Sequence, residues 1–314
     1  MNRTRIGLGI ATCLLSLVSL NQAAMADVRI ASFNASLNRF NAGDLKADLG
    51  NSNDTQIQQV AEVIQRVNPD IVLINEFDVD GNLQGNGTTA GVNGSGLIKP
   101  GTNGALSSAG LFQSNYLSSA WDTAATGTAS DPIQFDYAYW APSNTGVPSG
   151  FNLDHDAGGS TTGPGDAEGF GFFPGQYGML VLSKHPIVES GVRTFQNFLW
   201  RDMPGASLPD DGATPAPQDW YSPAELDVLR LSSKSHWDIP IDVDGSIIHL
   251  LASHPTPPVF DGAEDRNGLR NHDEIRFLAD YIDPNQNYMT DDNGNSGGLA
   301  DGAFFTIVGD LNAD

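Results

Sequence analysis

Apolar residues along this chain come in short runs separated by polar stretches, a pattern that predicts many strands and few helices. Residues 28–33 read as a first strand ending at Asn34. Ile57, Val60, Ala61, Ile64 and Val67 recur at helical spacing, so about 55–67 is an amphipathic helix closed by Asn68-Pro69. Residues 71–74 form a buried strand ending at Asn75-Glu76, and 178–182 form another, closed by Pro186. Trp237, Ile239, Ile241 and Val243 alternate as a half-buried strand does. Asp244-Gly245 is a hairpin turn, and 247–252 returns as the partner strand, ending at Ser253-His254. A helix follows over about 272–282. Residues 304–308 are the last strand, running into Gly309-Asp310-Leu311-Asn312. Between these elements, 78–175 is rich in Gly, Asn, Ser, Thr and Asp and reads as long loops inserted in one domain. The run at 233–237 mixes charge and aromatics and reads as the start of an exposed strand, with the lining of a substrate cleft as the alternative. The pattern as a whole predicts a mixed α/β chain with sheet packed on sheet.

The first residues change the picture of where such a chain works. Arg3 and Arg5 precede a short apolar run over 6–20, and Ala24-Met25-Ala26 suits a small-residue cleavage site. Residues 1–26 therefore read as a signal peptide, with 27–314 as the mature domain in a secreted, periplasmic or extracellular setting. The run falls short of the roughly 20 residues of a membrane span. Cys13 is the only cysteine and leaves with the leader, so neither disulfides nor zinc-thiolate sites are expected.

Charge narrows the chemistry. There are 15 basic and 38 acidic residues, a formal net charge of −23. Such a surface repels nucleic-acid backbones, which argues against broad duplex binding through Lys and Arg. A phosphorylated substrate needs local help from a metal or a few cations. No obligate protein partner is evident.

Four apolar runs each stop on polar residues at their carboxyl ends: Asn34, Glu76, His254, and Asp310 with Asn312. Ligands of α/β sheets bind outside such ends, so parallel strands would gather these side chains in one cleft. Glu76 offers a carboxylate to a hard cation such as Mg²⁺, and Asn34 a neutral oxygen. Asp310 can orient or deprotonate a water. The Asn312 amide and a protonated His254 can offset charge on a phosphoryl group.

In order, Ser32-Phe33-Asn34, the strand ending at Glu76, Gly175-Gln176-Tyr177-Gly178 leading into residues 182–186, Ser253-His254 and Gly309-Asp310-Leu311-Asn312 resemble the endonuclease/exonuclease/phosphatase (DNase I-like) superfamily. The resemblance implies a four-layered α/β sandwich with two packed mixed sheets. It implies metal at Glu76 with Asn34 close by, a phosphate contact from Tyr177, a phosphate-binding or acid role for His254, and a nucleophile-positioning pair in Asp310 and Asn312. It implies a phosphoric ester hydrolase using Mg²⁺ (or Mn²⁺ or Ca²⁺) on a small phosphoester, a nucleic acid or a lipid headgroup. No apolar hairpin suited to a lipid surface is legible. Ser36 stands where the superfamily often has a polar Asn or Glu. The superfamily also carries a Ser-Asp-His-type segment after Gly-Asp-Leu-Asn, whereas this sequence stops at Asp314. The expectation is therefore a fragment with its last strands missing, an open sheet edge and little turnover. The alternative is a catalytically inactive extracellular binding domain that keeps the fold.

Overall fold

The computed structural model describes residues 27–78, 94–97, 107–213 and 217–313. The expected leader lies outside them. The strands are β1 (Ile30–Leu37), β2 (Ile71–Phe77), β3 (Gly94–Leu97), β4 (Tyr137–Trp140), β5 (Met179–Ser183), β6 (Arg193–Thr194), β7 (His236–Val243), β8 (Ser246–Ser253) and β9 (Phe304–Gly309). The α-helices are α1 (Asp44–Leu49), α2 (Thr55–Val67), α3 (Ser108–Phe112), α4 (Pro223–Leu226) and α5 (Arg266–Ile282). One sheet has the order β1-β2-β5-β4-β3 and the other β6-β7-β8-β9.

Alternation along the strands builds four layers. In β2, Ile71 and Leu73 face the second sheet and meet Trp237, Ile239, Ile241, Leu250 and Ala252. Val72 and Ile74 face the other way and pack with Ile57, Val60, Ala61 and Ile64 of α2 and with Phe112 of α3. On the far side, Leu251 of β8 packs with Phe277, Leu278 and Tyr281 of α5 and with Phe195 and Trp200. The order helix, sheet, sheet, helix is the sandwich expected from the sequence, with each sheet mixed: β1 and β2 run parallel, as do β8 and β9, while the other pairs are antiparallel.

Local signals hold where local chemistry decides. Helix α2 begins where Asp54 accepts the amide of Ile57 at 2.8 Å and ends on Asn68 at φ 48. Asp244 and Gly245, both at positive φ, make the tight turn between β7 and β8.

Four expectations need correction. Strand β1 does not stop at Asn34 but runs to Leu37 through a register shift. Strand β7 is buried on both faces, because α5 covers the polar side: Tyr281 Oη donates to Asp238 at 2.6 Å, and His249 Nδ1 lies 2.7 Å from the same carboxylate. Helix α5 starts at Arg266, six residues before the sequence shows it. Its first turns are charged, and Arg270 caps the carbonyls of Leu231, Glu168 and Arg230 instead of showing an apolar stripe. The stretch 78–175 supplies α3 and the strands β3 and β4 as well as loops; β4 is only four residues long, too short for a pattern to stand out. Among the described residues β9 is an edge strand, and Phe304, Phe305 and Ile307 on it are exposed.

Candidate active site

The two parallel pairs bring their carboxyl ends together between the sheets. Register pairs Asn34 with Asn75 on one side and Ser253 with Gly309 on the other. Gly309 allows this approach, since a Cβ there would stand 2.3 Å from the carbonyl oxygen of Ser253. The Asn34 amide donates to Glu76 Oε1 at 2.9 Å and to Asp310 Oδ2 at 2.8 Å. His254 Nε2 lies 3.8 Å from Asp310 Oδ2. The backbone N–H of Asn312 donates to Asp310 Oδ1 at 3.2 Å, while its side chain donates to the carbonyl of Pro255 at 3.0 Å. Asn34, Glu76, His254, Asp310 and Asn312 thus converge. Asn312, however, turns its amide into the backbone.

The irregularity in β1 has a local consequence. Ser36 sits at φ 50 and donates its N–H to Asn34 Oδ1 at 3.1 Å. The chain is thereby re-aimed, as bulges do, and Asn38 Nδ2 reaches Glu76 Oε2 at 2.8 Å. The polar partner sought at Ser36 is therefore supplied two residues later.

Tyr177 joins through its backbone. Its N–H donates to Asp78 Oδ1 at 2.9 Å, and the N–H of Arg39 donates to Asp78 Oδ2 at 2.6 Å. Asp78 is 3% exposed. Burial pushes its carboxyl up to about 7, against the two N–H donors and Arg39, with Glu76 adding to the rise. The Tyr177 hydroxyl is also raised, first by burial and then by the charges of Glu76 and Asp78. Glu76, Tyr177 and Asn312 all hold left-handed backbone, at φ 57, 53 and 51. Such strain in non-glycine residues clusters at functional sites.

His254 is 3% exposed. Burial first, then the charge of Lys234, holds its imidazole well below the usual histidine range. The ring is neutral at neutral pH, which corrects the expectation of a protonated His254. Its Nδ1 is buried without a partner, as are Asn75 Oδ1, Ser253 Oγ and Thr256 Oγ1 nearby in the chain.

The donor set suits a hard divalent cation. Glu76 and Asp310 offer carboxylate oxygens on either side of the Asn34 amide nitrogen, while Asn34 Oδ1 accepts from the N–H of Ser36. No salt bridge among the described residues involves Glu76, and the only ring facing Asp310 at ion-pair distance is the neutral His254. Among the described residues neither carboxylate has a cation at ion-pair distance. A separate trio, Asp210, Asp211 and Asp219, gathers on a surface loop with candidate ligand atoms within 4.8 Å of one another. Exposed carboxylates on a loop need no ion.

This constellation can be set beside known proteins. The Endonuclease/Exonuclease/phosphatase family matches residues 31–314. The chain belongs to that family. Among solved structures it is similar to an endonuclease/exonuclease/phosphatase from Beutenbergia cavernae, at 18% identity and TM-score 0.39, covering 91% of this chain and 47% of that one. It is similar to a β-hairpin deletion mutant of beta toxin from Staphylococcus aureus, at 14% identity and TM-score 0.34, covering 91% and 68%. It is also similar to sphingomyelinase C from Streptomyces griseocarneus, at 16% identity and TM-score 0.34, covering 91% and 65%. The chain spans about half to two thirds of the length of these proteins. No curated protein matches it.

Two residues at the site escaped sequence reading: Asn38 and Asp78. Asn38 and Asp78 lie in a polar stretch and at a strand end, where nothing local sets them apart. Lys234, in the run read as an exposed strand with a cleft lining as the alternative, is in fact 6% exposed. An apolar rim was missed as well. Phe40 stacks on Phe172 with ring centroids 5.8 Å apart, Phe170 meets Phe172 edge-on at 5.8 Å, and all three are exposed. Gln176 ties the two loops by accepting from the N–H of Phe172 at 2.8 Å and donating to the carbonyl of Arg39 at 2.8 Å. Two distant segments make this patch, so neither alone looks like an apolar hairpin. Among the described residues no helix is long and apolar enough to cross a membrane.

Proposed function

We propose that this chain is a secreted hydrolase of phosphoester bonds that works with Mg²⁺ (or Mn²⁺ or Ca²⁺) and uses water as the nucleophile. The observation that carries the reading is the Asn34 amide held between Glu76 and Asp310, with His254 against the same aspartate. Glu76 would hold the cation, with Asn34 in its neighbourhood orienting the carboxylates of Glu76 and Asp310. When bound, it supplies Lewis-acid stabilisation of charge on the phosphoryl oxygens.

The chain's own residues do the rest. Asp310, its two oxygens aimed by Asn34 and by the backbone of Asn312, orients the attacking water and takes its proton. His254, neutral, donates from a ring N–H to a phosphoryl oxygen. Asn312 holds the His254-Pro255 turn and Asp310 in one register through the Pro255 carbonyl. Tyr177, whose hydroxyl stays protonated, contacts the scissile phosphate as a donor. The substrate is a small phosphodiester or phosphomonoester, a nucleic-acid end or a lipid headgroup, and the acidic surface disfavours binding along a duplex.

The test is an assay of the full-length protein on bis-p-nitrophenyl phosphate and p-nitrophenyl phosphate, with Mg²⁺ or with EDTA. EDTA-sensitive release of p-nitrophenol is expected, and its loss in Glu76→Gln and Asp310→Asn. A wild-type protein without EDTA-sensitive hydrolysis defeats the reading, as do variants with full activity.

A further inference from the structure

We propose that Lys234 is the phosphate-binding cation of this site, donating from its ammonium to a non-bridging oxygen of the phosphoryl group. The inference rests on the phosphoesterase reading and deepens it by naming how a strongly acidic chain holds an anionic substrate.

Lys234 is 6% exposed, and among the described residues its side chain makes no hydrogen bond and no carboxylate lies within ion-pair distance of its ammonium; Glu274, Glu76 and Asp310 act on that charge from farther away. A largely buried ammonium that carbonyls and carboxylates do not hold directly keeps its donors for an anionic oxygen, and such charge-assisted bonds are the strong ones. The nearest candidates are otherwise engaged. Both oxygens of Glu274 accept backbone N–H groups, from Ser233 at 2.7 Å and Thr256 at 2.6 Å. Glu76 and Asp310 belong to the Asn34 bridge.

The backbone that carries Lys234 is locked beside the site. Its carbonyl accepts from the N–H of Asn144 at 2.9 Å. The hydroxyl of Ser233 donates to the carbonyl of His254 at 3.3 Å, and two residues further on His236 pairs with Ser253 across β7 and β8. The side chain therefore starts within one residue of a contact to His254. The acidic groups felt by its ammonium are Glu274, Glu76 and Asp310, and its own charge is felt by His254. Burial first lowers its ammonium to about 8, so it is still mostly charged at neutral pH.

Other cations in this neighbourhood are already committed. Arg39 pairs with Asp48 and Asp54. Arg230 donates to Asn144 Oδ1, and Arg270 to the carbonyls of Leu231, Glu168 and Arg230. Glu76, Asp78 and Asp310 would repel a phosphate. Lys234 is the cation near Glu76 and Asp310 whose donors carry no hydrogen bond among the described residues.

The experiment is calorimetric titration of the full-length protein with inorganic orthophosphate under EDTA, for wild type, Lys234→Met and Lys234→Arg, with melting temperatures and p-nitrophenyl ester kinetics alongside. The Met variant should keep its fold and bind orthophosphate roughly 10- to 100-fold more weakly, the range for losing a charged hydrogen bond. Its KM should rise, and Arg should restore binding to within a few-fold. Equal orthophosphate affinity and KM in wild type and the Met variant overturn the proposal, as does a wild type that binds no orthophosphate. Orthophosphate binding through Lys234 without any hydrolysis would sink the hydrolase reading and leave this one standing. Should the Met variant not fold, a wild-type crystal soaked in tungstate decides. The oxyanion is expected within hydrogen-bond distance of Nζ, and its absence there overturns the proposal.

Discussion

The side-chain amide of Asn34 donates to Asp310 at 2.8 Å, joining residues 276 positions apart and tying the first strand of one sheet to the end of the last strand of the other. The same nitrogen donates to Glu76. One NH₂ group thus spaces two carboxylates that would otherwise repel each other. Asn34→Ala should lower kcat/KM by about 10²–10³-fold, the scale seen when one preorganised donor is removed. Asn34→Asp should do worse, since it puts a third carboxylate where a donor stood. Steady-state kinetics with melting curves checks both. A variant that loses activity only by unfolding would show that Asn34 holds the sheets together instead of arming the site.

Asn38 is one step removed from that cluster. Its side chain holds the second oxygen of Glu76 at 2.8 Å and makes no other hydrogen bond among the described residues. Asn38→Ala should therefore act through the metal. The Mg²⁺ concentration for half-maximal activity should rise about 10- to 100-fold, as for other supports of a metal ligand. Activity at saturating Mg²⁺ should largely recover. A fall in kcat that saturating metal does not restore would place Asn38 in contact with substrate.

How much of this was visible in the sequence follows from the range over which each cause acts. Helix α2, the turn at Asp244-Gly245 and the strand ends at Glu76 and Asp310 are set by neighbours in the chain, and all were legible. Strand β7 was legible as a strand but not as a buried one, because the cover over Asp238 comes from Tyr281, 43 positions away. Asn38 was invisible for a similar reason: only the kink at Ser36 turns it onto Glu76. Lys234 was legible only through the alternative reading of its run, as the lining of a cleft. A lysine in a polar run ordinarily lies in water, and only the folded arrangement of Ser233, His254 and Glu274 encloses it.

The interface between the sheets should carry much of the stability. Leu73 lies in the middle of β2, fully buried against Trp237 and Ile239 of the facing sheet. Leu73→Ala should cost about 2–5 kcal/mol, read by urea unfolding as a lower midpoint with an unchanged slope. A cost well under 1 kcal/mol would mean that the two sheets close up around the gap.

His236 gives the fold a pH dependence separable from the site. It is fully buried, with Nε2 at 2.9 Å from the carbonyl of Glu274 and Nδ1 at 2.5 Å from Ser232 Oγ. A carbonyl can only accept, so Nε2 carries the hydrogen and Nδ1 accepts from the serine: the ring is neutral and satisfied on both sides. Burial lowers its pKa below the ordinary 6.5, against the pull of Glu274. Below pH 6.5 the unfolded chain therefore binds a proton that the folded chain refuses. Stability rises with pH through that window: the contribution is complete above 6.5 and is lost as pH falls toward the lowered folded value. His236→Gln removes this titration while leaving His254 in place. Wild type should exceed the variant in urea-unfolding free energy at pH 7.5, and the gap should narrow steadily at pH 6, 5.5 and 5. A gap that stays constant across this range would mean that His236 takes up its proton in the folded state as readily as in the unfolded one, and that some other buried group sets the acid limit.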